Sequence, residues 1–457
     1  MLSEHENQLL CEVGAGKPMG ELLRRFWMPV ALSEEVPAPD CDPVAVKILG
    51  EELVVFRDTD GKPGVVSAYC AHRHANLFWG RNEEHGLRCT YHGWKYNVDG
   101  RCVDMPNEPA DSVFRDKVSI TAYPARDAGG CIWAYLGPAD KQPIDLPQFE
   151  WVRIPDSHRL ITKRLQLSSW AQAVEGGIDS SHISFLHSRV DNQPRLASNG
   201  TMVDSGSGQL TADSDVAMDS VAGREAVTVA AADRAPRFWV SPRDFGFMVA
   251  ARRNAPDDKY YWRLTPFLLP AATIIPGGDQ PGRSLSGHFW VPVDDENCWT
   301  FSVTWNTERP LTAEEHATHN EGYGIHTLVQ KDVSMWELGL SHAYLPVRHR
   351  GVNYRLDRKD QRHETFTGIQ GISEQDMSIQ ESMGRIVPRW AEHLGTTDKA
   401  IIEFRKLLLT LARDLLEGKE PEAPQDPNVY QVRSAAFTLG KDVPWEQGSR
   451  EYIKARA

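Results

Sequence analysis

Cys70-Ala71-His72 is followed, after sixteen residues, by Cys89-Thr90-Tyr91-His92. Each hook offers one thiolate and one imidazole. Two thiolates can hold one iron of a pair while two imidazoles hold the other, and neutral imidazole in place of thiolate raises the reduction potential of such a centre. A Cys2His2 zinc site accepts the same ligand types at tetrahedral geometry and stays as the alternative. The Cys-x-His hook is tighter than the usual zinc knuckle, and it suits ligands presented by a β-loop to two adjacent irons. His74 and His85 lie between the hooks, do not fit the pattern, and are read as ordinary polar side chains.

The residues around the hooks fit a small antiparallel β domain. Val44-Ala-Val-Lys-Ile-Leu, Leu53-Val-Val-Phe and Gly64-Val-Val-Ser-Ala-Tyr are short strand-like runs joined by turn signals such as Gly50-Glu-Glu. Further strands are expected at 118–123 and 131–136. Ahead of them, residues 1–40 read as a helical lead-in anchored by Leu9, Leu10, Leu22, Leu23, Phe26 and Trp27, packing on the later domain. A polar, Pro-containing stretch from Pro138 to Pro147 closes the β domain, giving boundaries of 1–40, 41–150 and 151–457. The last part mixes strand-like Tyr260-Tyr-Trp-Arg-Leu-Thr-Pro-Phe and His288-Phe-Trp-Val-Pro-Val with helices. The clearest helix is Lys399 to Glu417, with Ile401, Phe404, Leu408, Leu411 and Leu415 three or four apart and Gly418 as a stop. The expected fold is α+β: a small antiparallel β domain, then a larger domain with an antiparallel sheet surrounded by helices. Residues 198–234 are rich in Gly, Ser, Ala and Asp and are expected to include an exposed excursion.

The chain has 457 residues, 41% of them hydrophobic and 25% charged, which suits two unequal globular domains. No apolar run approaches membrane-spanning length, so no membrane partner is expected. A formal net charge of -13 argues against nucleic acid, whose binding relies on Lys and Arg meeting phosphates. The start of the sequence is acidic, with no signal-like apolar core, so the expected compartment is the cytoplasm. Seven thinly spread cysteines suggest thiolate ligands, not a disulfide framework.

A second constellation is Trp170-Ala-Gln-Ala-Val-Glu175-Gly-Gly-Ile-Asp179-Ser-Ser-His182-Ile-Ser-Phe-Leu-His187, expected to be helical. At about 100° per residue Asp179 and His182 share a face, but His182 and His187 are about 140° apart. If the two imidazoles share one ligand, a local widening or the end of the helix must bring them together; the alternative is two histidines at a helix end satisfied by hydrogen bonds. A mononuclear iron held by two histidines and one carboxylate keeps open positions for dioxygen.

Cys89-Thr-Tyr-His-Gly-Trp-Lys-Tyr-Asn-Val-Asp-Gly100 closely resembles the second cluster loop of Rieske non-haem iron oxygenases, and the 170–187 segment resembles their iron-binding helix. The likeness runs from Gly20-Glu-Leu-Leu-Arg-Arg-Phe-Trp to beyond Asp376 and looks closest to the phthalate dioxygenase branch of aromatic ring-hydroxylating oxygenase alpha components. It implies a [2Fe-2S] cluster on Cys70, His72, Cys89 and His92, with Gly93 allowing close backbone approach and Trp94 shielding the cluster. Ala71 stands where the family often has Pro. The resemblance further implies a mononuclear Fe(II) on His182, His187 and Asp376. Asp376 lies in Phe366-Thr-Gly-Ile-Gln-Gly-Ile-Ser-Glu-Gln-Asp-Met-Ser-Ile-Gln-Glu-Ser-Met-Gly384, with Glu374 and Glu381 as local rivals. Asp179 would bridge His92 of one protomer to His182 of the next, implying a head-to-tail homotrimer or stacked trimers. Glu175 would assist or merely orient the helix.

By the same resemblance, a flavin and iron-sulfur reductase supplies electrons from NADH, which fits a chain with no nucleotide-binding glycine loop. The implied reaction is ring hydroxylation or O-demethylation of an aromatic acid with dioxygen. The carboxylate would need a cation, with Arg237, Arg252 and Arg253 as candidates on plausible strands. The alternatives are a Rieske electron-transfer protein with a non-catalytic binding domain, and a zinc-stabilised binding protein.

Overall fold

The computed structural model describes residues 2–190, 195–196, 202–204, 233–277 and 282–457. The excursion expected at 198–234 lies outside the described residues except at 202–204 and 233–234.

The run Leu53-Val-Val-Phe56 is buried throughout because its strand, Glu51–Arg57, carries an apolar layer on each face. Leu53 and Val55 join the large core, while Val54 and Phe56 join a smaller core around Cys70 and Cys89. Side chains alternate with period two along a strand, so consecutive apolar residues serve both layers. That strand sits in a four-stranded antiparallel sheet of order Val44–Ile48, Glu51–Arg57, Pro63–Ser67, Ala122–Tyr123. A second small antiparallel sheet, Arg81–Glu83, Gly86–Arg88, Lys95–Tyr96 and Cys102–Asp104, presents the loop from Cys89 to Trp94.

The larger sheet is also antiparallel. Its order is Arg159–Gln166, Cys298–Trp305, Leu285–Pro292, Ala272–Ile275, Lys259–Leu268, Gly246–Ala255, Arg237–Arg243, with Ala435–Gly440 pairing separately with Lys259–Leu268. Helix Trp170–Ile178 lies across the middle strands, flanked by helices Ile372–Ser382 and Lys399–Leu416. It comes very close to both the sheet and helix Ile372–Ser382. A Cβ on Gly177 would stand 2.3 Å from the Trp290 ring, and one on Gly176 would stand 2.2 Å from the Gln380 amide. The fold is therefore mixed α+β, with small antiparallel β sheets at one end and a helix-flanked antiparallel sheet at the other. Among the described residues no helix is long and apolar enough to cross a membrane.

Three local expectations need correction. The lead-in holds helices Glu4–Cys11 and Pro18–Leu23, but Trp27–Leu32 is a strand paired with Cys131–Tyr135. Its six residues are all buried, and a short run buried on both sides has no periodicity to separate strand from helix. Of 118–123, only Ala122–Tyr123 enters a strand. The helix expected to reach His187 ends at Ile178.

Candidate active site

Both hooks are tight loops closed by the backbone. Cys70 N–H donates to Ala75 O at 3.0 Å, and His74 N–H donates back to Cys70 O at 3.0 Å. In the second loop Cys89 N–H donates to Trp94 O at 2.8 Å, and Gly93 N–H to Cys89 O at 2.9 Å. Gly93 has φ +81°, and a Cβ there would stand 2.5 Å from Pro106 Cγ, so this position requires glycine. The loops bring the His72 and His92 rings to 4.4 Å, and Trp94 stacks on His72 at 4.5 Å. Both Nδ1 atoms are buried without a hydrogen-bond partner. Orphaned imidazole nitrogens beside two cysteines are the donor set that a two-iron cluster needs. Tyr96 adds a hydroxyl 3.2 Å from Cys70 Sγ, and Ala71 N–H donates to that hydroxyl at 3.2 Å, a bond that proline could not make. The His74 ring stacks on Tyr69, and His85 is exposed beside Asp60.

The end of helix Trp170–Ile178 solves the angular problem of the two histidines. Asp179 leaves the helix at ψ 110°, its Oδ1 accepts from Ser181 N–H at 2.6 Å, and a 3-10 turn at His182–Ser184 follows. His182 Nε2 and His187 Nε2 then lie 3.1 Å apart, with Asp376 Oδ1 3.6 and 3.3 Å from them. Three donors bound to one octahedral ion at about 2.1 Å would be separated by about 3 Å, so the residues present fit a metal capped on one face. The rival carboxylates are engaged elsewhere. Glu374 pairs with Arg348 at 3.2 Å, while Glu381 accepts from Leu167 N–H and the Tyr354 hydroxyl.

A model of the Rieske [2Fe-2S] domain matches residues 26–124, and one described as LigXa C-terminal domain like matches 134–456. The phthalate 4,5-dioxygenase oxygenase subunit of Pseudomonas putida is 36% identical, over 100% of this chain and 96% of that one. The 3-chlorobenzoate-3,4-dioxygenase oxygenase subunit of Comamonas testosteroni is 32% identical, over 98% of each. This chain belongs to the Rieske aromatic-ring-hydroxylating oxygenases, as an alpha subunit. A solved mutant of NdmA from Pseudomonas putida CBB5, with theobromine, shares the fold of the oxygenase at TM-score 0.56 and 18% identity, covering 93% of this chain and 99% of that one.

Around the mononuclear site of the oxygenase, burial alone would favour neutral groups, and specific partners overrule it. Burial pushes the Asp376 carboxyl up, but His187 and His182 beside it hold it below the usual carboxylate range. Burial likewise works against charge on His182, and Asp179, 3.5 Å from its Nδ1, outweighs it. His187 Nδ1 is held by Gln375 Oε1 at 2.7 Å, leaving Nε2 for the metal. Burial raises Glu374 to about 7 against the pull of Arg348.

Glu175 faces away from the metal. Its carboxylate takes Arg389 at 3.0 Å and Arg405 at 2.7 Å, which ties the helix to the C-terminal segments. Arg389 also donates to Asn7 of the first helix. None of the three arginines expected at the substrate lines the cavity beside the triad. Arg237 is exposed, and Arg252 lies over the Tyr260 ring at 3.9 Å. Arg253 is buried but donates to Ser180 O at 2.7 Å, bracing the turn that carries His182. The cations that do line the cavity are Arg164 and Arg263, with His288, Trp290 and Gln380 nearby. They were missed because Arg164 stands beside Lys163 in a mixed strand, Arg159–Gln166, and Arg263 is a lone charge within a run of large apolar residues. The available signal was a charged residue at an inward position, as Arg263 is within Tyr260-Tyr-Trp-Arg-Leu-Thr-Pro-Phe.

Proposed function

We propose that the oxygenase hydroxylates the ring of an aromatic acid, with O-demethylation of a methoxylated acid as the alternative outcome at the same site. The observation that carries the acid is Arg263. It is 6% exposed, lines the cavity that holds His182, His187 and Asp376, and its side chain has no hydrogen-bond or ion-pair partner among the described residues. A guanidinium left so is costly unless a ligand pairs with it, and a carboxylate matches its fork. The names of the two relatives, phthalate and chlorobenzoate oxygenases, support the same substrate class.

In this reading Cys70, His72, Cys89 and His92 hold the [2Fe-2S] cluster and His182, His187 and Asp376 the mononuclear iron. Bound iron would supply one-electron transfer at the first site and dioxygen activation at the second. The chain divides functionally into 1–40, 41–150 and 151–457. A separate flavin and iron-sulfur reductase delivers electrons from NADH. His92 of one protomer meets Asp179 and His182 of the next in a trimer or stacked trimers. Asp179 suits that bridge: it is held by Ser181 N–H and His182 and remains partly accessible. Arg253 and Gln375 position the histidines, and Glu175 anchors their helix. A cytoplasmic location fits seven cysteines that form no disulfide.

The test is turnover with a reductase, NADH and labelled dioxygen over phthalates, benzoates and methoxylated aromatic acids. A cis-diol carrying both labels is the expected product. Formaldehyde with a phenol would select O-demethylation. Full iron loading with a reducible cluster, no product from any acid, and no change in acid binding on Arg263→Gln would overturn the acid reading.

A further inference from the structure

The floor of the iron cavity is built from pairs two residues apart on three strands: Arg164 and Gln166, Arg263 and Thr265, His288 and Trp290. Period-two alternation turns each pair to the same face. Arg164 and Arg263 belong to strands separated by three others, and His288 lies on the middle one of those three. The cations thus enter the cavity from opposite sides. Arg263 acts on His182, and Arg164 acts first on Glu374 and then on Asp376.

Arg164 is 4% exposed. Its Nη1 donates to Ser302 Oγ at 2.9 Å, with a longer contact to Ile325 O, while Nε has no partner. Ser302 Oγ is also 3.1 Å from His288 Nδ1. The hydroxyl has one proton, and these are its only partners among the described residues. With one lone pair taken by Arg164, that proton is satisfied only by pointing at His288 Nδ1. The His288 proton then sits on Nε2, the nitrogen left for the cavity. The Arg164 side therefore offers a cation and a fixed neutral donor, and the Arg263 side a second cation. Among the lining residues the two arginines balance Asp179 and Asp376, so a bound iron(II) leaves two positive charges uncompensated.

We propose that the cavity takes an aromatic diacid whose carboxylates are set apart across the ring system, one on Arg263 and the other on Arg164 and His288. This rests on the aromatic-acid reading above and adds a second anionic pole, with Arg164 and His288 as specificity-determining residues and Ser302 as the residue that sets the His288 tautomer. The empty space between these residues is about 720 Å³, with the open solvent at its mouth included.

The test is anaerobic calorimetric binding to the iron-loaded oxygenase of benzoate, phthalate, isophthalate, terephthalate and a biphenyl dicarboxylate. At least one diacid with separated carboxylates is expected to bind about tenfold or more tightly than benzoate and than phthalate. Arg164→Gln and Arg263→Gln should each remove that advantage, whereas benzoate should lose affinity with only one of them. Ser302→Ala should weaken the separated diacid severalfold and leave benzoate unchanged. Equal or tighter binding of benzoate or of the ortho diacid, or no effect of Arg164→Gln on the diacid, overturns the second pole while leaving a single-acid site intact. Absence of binding by every acid overturns both readings. The ligand series on the unmodified enzyme decides even where a variant fails to load iron.

Discussion

Gln375 and His187 are joined by a 2.7 Å hydrogen bond between the amide Oε1 and the imidazole Nδ1, and the amide is itself fixed by donating to Ile369 O at 2.8 Å. The bond fixes the His187 tautomer with Nε2 toward the metal. Gln375→Leu is expected to lower affinity for the mononuclear iron by about 10- to 100-fold, the usual effect of losing a partner behind a metal ligand. Competition with a chelator measures it, and the cluster absorbance should not change.

Asp376→Ala removes the one carboxylate that, among the described residues, faces both histidines. Iron content should fall from about three per chain to about two, with the cluster retained. Two irons in the unmodified protein would instead favour an electron carrier.

Tyr96 is fully buried, with its hydroxyl 3.2 Å from Cys70 Sγ. A thiolate bound to iron has no proton, so Tyr96 must donate, and the bond stabilises the reduced, more negative cluster. Tyr96→Phe is expected to lower the cluster midpoint potential in a spectroscopic redox titration. An unchanged potential would show that the hydroxyl points elsewhere.

Glu175 joins Arg389 and Arg405 in a buried network. Burial raises its carboxyl, but the two guanidiniums win and hold it below the ordinary value of 4.5. A carboxyl depressed in the folded state contributes stability above its unfolded pKa and loses it as pH falls through the folded value. Glu175→Gln should cost about 3–5 kcal/mol near neutral pH, because it leaves Arg389 buried without a carboxylate, while Arg405 keeps Glu392. The gap to the unmodified protein should narrow below about pH 4.5, read from denaturant unfolding across pH.

Gly177→Ala would place a methyl 2.3 Å from Trp290 Cη2 and 3.2 Å from Thr273 Oγ1. A loss of about 1–3 kcal/mol is expected from overpacking. Because the same helix leads to Asp179, iron loading should fall as well. Thermal unfolding and iron content together check this.

The metal donors were legible from sequence because their spacing is itself chemical information. Cys70-x-His72 and Cys89-x-x-His92 are local hooks, and the backbone bonds that close them span only a few residues. The odd angle between His182 and His187 even announced that the helix had to give way. It could not say where, because the break at Ile178 comes from an Asp179 side chain turning back on Ser181 and from Arg253, distant in sequence, holding Ser180 O. Asp376 was distinguished from Glu374 and Glu381 by resemblance, and the structure supplies the physical reason: only its carboxylate meets both imidazoles.

By itself, then, the sequence determined the α+β class and the paired Cys and His hooks, which are written in short-range spacing and strand and helix periodicity, while Asp376 and the kind of chemistry came from the resemblance that those motifs carry. Only the tertiary structure decided which cations face the iron. Arg164 and Arg263 stand 99 residues apart in the numbering and on strands that the sheet order separates by three others, whereas Arg252 and Arg253 are adjacent yet point to opposite faces. Which arginine becomes a ligand for substrate depends on strand order and side-chain parity, and both are fixed by pairing between distant segments.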